Sequence, residues 1–135
     1  MQIPLPGRPV RGSHTGRPIM ALLDLLGRRA ALRILWELSQ TSEPLTFRAL
    51  QAAADTNPSV LNARVKELRA AGVVGREPRG YALSEEGKRL LEVMLPLHAW
   101  AEGWAEGWAA RRGLLAGEGR RQAKSRTRRR RSLAR

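Results

Sequence analysis

A mainly α fold of the α+β kind is predicted by three features of this sequence. Residues 45–83 read as a helix, a tight turn, a second helix and a short hairpin with arginines at its tip. Apolar helical segments flank that unit on both sides. Both chain ends lack apolar periodicity and are rich in Gly and Arg, which confines the folded part to 18–112 of the 135 residues. One core is expected at that length, between a disordered amino-terminal arm over 1–17 and a disordered basic tail over 113–135. A folded part of roughly ninety residues buries only about two thirds of its unfolded surface, so a second copy is expected to add cover.

The elements follow in order. A short helix over 19–26 is apolar on most faces and needs covering. The next, over 29–39, is expected to turn Leu32, Ile34, Leu35 and Trp36 inward. A helix over 47–53 has Thr46 placed to cap it. The helix over 58–70 begins at Asn57-Pro58, where Asn57 can accept orphan amide hydrogens and Pro58 fits the first helical position. Its Leu61, Val65 and Leu68 recur at i, i+4 and i+7 as one buried stripe. Ser59, Asn62, Lys66 and Arg69 fall on the opposite face, with Glu67 at its side. Gly72 can end this helix in a left-handed conformation. Strands over 73–76 and 81–83 flank the turn Glu77-Pro78-Arg79-Gly80. Ser84 caps a last helix over 84–112, and Glu85 and Glu86 suit its positive start. Leu90, Leu91, Val93, Met94 and Leu97 give that helix a broad apolar face, and Pro96 is expected to kink or split it near Met94 or Leu95.

An outward helical face that is short, polar and cationic suits the major groove, where such side chains read base edges. Two helices joined by a tight turn present such a face to DNA. The predicted architecture is therefore a winged helix-turn-helix with a two-stranded wing hairpin and flanking dimerisation helices.

The residues match a family over roughly 18–108. The chain resembles the HxlR-type winged helix-turn-helix transcription regulators, a MarR-like group. The resemblance runs through Leu22-Leu23-Asp24-Leu25-Leu26-Gly27, then Ile34, Leu35 and Glu37-Leu38. It continues in Leu45-Thr46-Phe47-Arg48-Ala49-Leu50, in Pro58 and Val60-Leu61, and in Arg64-Val65-Lys66-Glu67-Leu68. Ala71-Gly72-Val73-Val74, Tyr81-Ala82-Leu83-Ser84, Gly87 and Trp100 complete it. It implies operator binding as a dimer. The chain departs from the pattern twice. Arg29-Ala30 stands where the family usually carries Lys-Trp, and the cysteine of the family's redox sensors is missing.

The DNA-contacting residues expected are these. Ser59, Asn62 and Lys66 reach base edges, Asn62 towards adenine and Lys66 towards guanine. Val60 and Ala63 contact thymine methyls or pack, and Asn57 stands at the helix start. Arg64 matches the family's arginine in this helix and either meets phosphate or holds the helix in place. Thr46, Arg48, Arg28 and Arg29 meet the backbone, and Arg76 and Arg79 carry the wing onto phosphates. The dimer interface is expected from Ile19, Leu22, Leu23, Leu26, Leu97, Trp100, Trp104 and Trp108. The repeated Ala-Glu-Gly-Trp spaces the indoles by four residues. Each step drifts only about 40° around a helix, so the indoles share a stripe. Gly103 and Gly107 weaken that helix by about 1 kcal/mol each.

The formal charge is +13, but it is unevenly placed. Residues 111–135 hold eleven Lys and Arg against one acid, Glu118, a net +10; the other fourteen basic and eleven acidic residues leave +3. Such a tail adds affinity for any polyanion by counterion release, without reading sequence. An alternative use of the same features is docking on an anionic membrane through the Trp-striped helix and polybasic tail, or non-specific nucleic-acid binding. Neither needs the 45–83 unit.

With no cysteine there is no disulfide or thiolate chemistry. His14 and His98 stand apart without clustered acids, so no metal or other cofactor is expected. Ser13, Ser39, Ser42 and Ser59 lack a matching His and acid, and no glycine-rich phosphate loop follows a strand, so no enzyme is expected. The amino end lacks a signal-peptide pattern and no apolar run spans a bilayer, which places the protein in the cytoplasm.

Overall fold

The computed structural model describes the backbone of residues 2–133 and the side chains of 2–113. Its elements are α1 (Pro18–Leu26), α2 (Ala31–Ser39), α3 (Phe47–Ala53), α4 (Pro58–Ala70), β1 (Val74–Glu77), β2 (Gly80–Leu83) and α5 (Glu85–Leu133). The chain divides into two units, Met1–Val93 and Met94–Arg135.

In the first unit, five side chains are fully buried: Ile34, Leu35, Leu50, Leu61 and Leu68. Helix α2 packs on α1, α3 and β2, and α4 packs on β1. The inward stripe of α2 is Ala31, Ile34, Leu35 and Leu38, while Leu32 and Trp36 are exposed. The expectation that Leu32 and Trp36 face inward is corrected by where the helix starts. Ala30 sits at φ +68°, so α2 begins at Ala31 rather than at Arg29. A stripe at i, i+3, i+4 and i+7 then runs from Ala31.

Local signals fix the reading unit. Thr46 caps α3 by accepting from the Ala49 amide (3.1 Å). Asp55, at φ +49°, makes the turn to α4; a short polar side chain tolerates that left-handed geometry. Asn57 Oδ1 caps α4 by accepting from the Val60 amide (2.9 Å). At the other end the amide of Gly72 donates to Arg69 and that of Val73 to Leu68 (3.0 and 3.1 Å). This is a Schellman ending, with Gly72 at φ +78° supplying the left-handed residue.

Strands β1 and β2 pair antiparallel with Glu77 opposite Gly80, leaving Pro78-Arg79 as the tip. Leu45 bridges the outer edge of β2, exchanging two backbone hydrogen bonds with Tyr81 (2.9 and 2.7 Å). Gly80 makes that approach possible: a β-carbon there would lie 2.2 Å from the Leu45 carbonyl oxygen. Ser84 caps α5, accepting from the Gly87 amide (3.0 Å) and donating to the Gly72 carbonyl (2.5 Å).

The segment before α1 is not the unstructured arm its composition predicts. Gly7 donates to Gly16 and Val10 pairs with Ser13 through the backbone. Glycines at positive φ (Gly7, Gly12 and Gly16) allow these tight turns, which apolar periodicity does not reveal. In the second unit, Pro96 lies inside α5 without ending it. The backbone of α5 runs to Leu133, through much of the expected tail. The side chains of 114–135, and with them most of the tail's cationic charge, lie outside the described residues.

Candidate nucleic-acid interface

The outer face of α4 is built by its own periodicity. Ser59, Asn62, Lys66 and Arg69 are all exposed, as the positions i, i+3, i+7 and i+10 of one helix face. Val60 and Ala63 beside them are half-buried. Among the described residues, Lys66, Arg69 and Arg48 have no carboxylate within ion-pair distance. This face therefore carries uncompensated positive charge and unengaged polar groups. Asn57 is occupied as a helix cap and Thr46 likewise, so both present mainly backbone and cap geometry.

The opposite side of α4 carries a charge cluster that the sequence reading missed. Glu67 is only 7% exposed. Its Oε1 accepts from Arg28 Nη1 (2.8 Å) and Arg64 Nη1 (2.9 Å). Arg64 Nε also donates to the Arg29 carbonyl (2.8 Å), and Arg28 Nη2 to the Gln2 carbonyl (3.1 Å). Asp24 Oδ1 lies 3.6 Å from Arg28 Nε. Arg28 and Arg64 are thus drawn inward, with side chains 17% and 14% exposed. A phosphate contact for Arg28 gives way to this clamp, and Arg64 takes the helix-holding role. The signal available in sequence was Arg64 three residues before Glu67, a helical neighbour pair. Arg28, 39 residues away from Glu67, gave none. Arg29 stays exposed.

At the wing, Arg76 lies over the Tyr81 ring (5.4 Å to the centroid) and donates to its hydroxyl (3.2 Å). Arg79 stands at the tip with its side chain 82% exposed and Glu43 3.6 Å away. An ion pair that open holds the side chain weakly.

Of the expected dimer residues, Ile19 and Leu23 are exposed and Leu22 is half-buried. Leu26 belongs to the core, a correction: the buried stripe of α1 includes Ala21, Leu25 and Leu26. In the second unit Leu97, Trp100, Trp104 and Trp108 are all more than half exposed. Trp100 and Trp104 stack at 5.9 Å with 7° between their planes, and Arg112 covers Trp108 at 4.8 Å. Among the described residues no group of His, Asp and Glu is placed to hold a metal ion. No helix among them is long and apolar enough to cross a membrane.

A capped helix pair, an acid-free outer face on the second helix and a hairpin braced against the first define a winged helix-turn-helix. The HxlR-like helix-turn-helix family profile matches residues 25–108. The chain is similar to the quinone-bound YodB from B. subtilis, with 28% identity and a TM-score of 0.59 over 64% of this chain and 97% of that one. No curated protein matches. The chain belongs to the HxlR-like helix-turn-helix family and is a DNA-binding transcription regulator.

Proposed function

We propose that the protein acts as a homodimer on a roughly palindromic operator, with α4 in the major groove and the wing on the backbone. Ser59, Asn62 and Lys66 read base edges, with Val60 and Ala63 against thymine methyls. Asn57 and Thr46 bring helix starts to phosphates, where amide dipoles favour anions. Arg48, Arg76 and Arg79 supply charge to the backbone. The observation that carries this reading is the outer face of α4, free of carboxylates because Glu67 is turned inside. The homodimer is supported by exposed apolar side chains on both units: Ile19 and Leu23 in one, Leu97, Trp100, Trp104 and Trp108 in the other. Soluble chains rarely leave such surface uncovered. No catalytic step, metal or cofactor enters the reading, and we assign the protein to the cytoplasm.

Selection of bound duplexes from a random pool tests it. Two half-sites spaced about 34 Å, one helical turn, are expected. A pool returned without sequence preference overturns base reading, and a single half-site overturns the symmetric dimer. In sedimentation, Trp104→Ala is expected to shift the protein towards monomer; an unchanged profile removes that indole from the interface.

A further inference from the structure

A groove of about 580 Å³ opens between the amino-terminal segment, α1 and α4. That volume falls within the range of small-molecule sites. Met20 and Leu23 give it an apolar side, and Arg11, Arg28, Arg29 and Arg64 line the rest. Gly12 closes tightly on this wall: a β-carbon there would lie 2.6 Å from Met20 Cε.

The four guanidinium groups differ. Arg28 and Arg64 are fixed by Glu67, so their charge is held in place and partly neutralised. Arg11 and Arg29 are different: among the described residues neither guanidinium has a hydrogen-bond or ion-pair partner. The one carboxylate in the lining, Asp24, accepts from the Arg11 amide (3.3 Å) and faces Arg28. Positive charge therefore exceeds negative in a concavity that also has an apolar side.

We infer that this groove binds a small organic anion, a carboxylate carried on a flat apolar body. The carboxylate pairs with Arg29 and Arg11, which match it as planar donor forks. The apolar body rests on Met20 and Leu23. A DNA phosphate would use the arginines but has no use for the apolar side, so the free ligand is favoured. The site does not depend on the DNA-binding reading. Its occupant would nevertheless lie against Arg64, a residue of α4 itself, so ligand and DNA affinities are linked reciprocally if α4 responds.

The test uses the full chain, with 1-naphthoate as probe, 1-naphthamide as its neutral counterpart and inorganic phosphate as a bare anion, followed by calorimetry. Naphthoate is expected to bind more tightly than either control. Arg11→Gln and Arg29→Gln are each expected to weaken it by about fivefold, the upper worth of an exposed ion pair. Both residues are exposed, so the fold should tolerate the changes. Equal binding of the amide, or of phosphate, overturns the proposal. So does naphthoate binding unchanged in both variants, which places it on the cationic carboxy-terminal segment. If those variants lose duplex affinity while naphthoate binding stays, the arginines are backbone contacts and the inference fails.

Discussion

The two sides of α4 carry similar residues and use them oppositely. On the inner side one carboxylate, Glu67, faces two arginines and is almost closed off from water. On the outer side Lys66 and Arg69 stand exposed with no acid beside them. Turning the helix's only acid inward does two things. It ties α4 to the turn between α1 and α2, and it clears negative charge from the face that meets DNA. Position within a helix turn, not composition, separates a structural charge from a reading charge.

The contrast is broken most severely from the inside. Glu67→Ala leaves two partly buried guanidinium groups facing each other, and is expected to cost about 3 kcal/mol in urea unfolding. A loss below about 1 kcal/mol would mean that water already supports the arginines and that the clamp is slack. The outer face is expected to respond in binding alone. Asn62→Ala and Lys66→Ala should each reduce discrimination between a selected site and random DNA by about 2 kcal/mol, with stability unchanged. Equal losses on both DNAs would return these residues to general backbone contact. Where the two sides meet, Asn57→Ala removes a helix cap and should cost about 1 kcal/mol of stability by thermal unfolding. The smallest effect belongs to the tip: Arg79→Ala should weaken all duplexes alike and flatten the salt dependence by about one unit. A salt slope that does not move would take the wing off the phosphates.

The parts legible in sequence were those whose signals are local. Caps at Thr46, Asn57 and Ser84, the stripe of Leu61, Val65 and Leu68, and the turn at Pro78-Arg79 are each set within a few residues, and the structure has them at those positions. The face of α2 was misplaced because nothing in Arg29-Ala30 announces a left-handed alanine, and two residues of offset rotate the stripe. The Glu67 cluster was read as a helix flank because its second partner, Arg28, comes from a distant turn. The ordered amino-terminal turns escaped for a related reason: backbone hydrogen bonds between glycines leave no apolar pattern.

The exchange between Leu45 and Tyr81 has a mechanical consequence. Those two bonds stitch the root of the hairpin to the residue just before Thr46, the start of the first reading-unit helix. A push on the hairpin tip therefore cannot be absorbed by a loose hinge. It is delivered to the base of the helix pair, so tip and helices rock as one lever when the duplex bends beneath them.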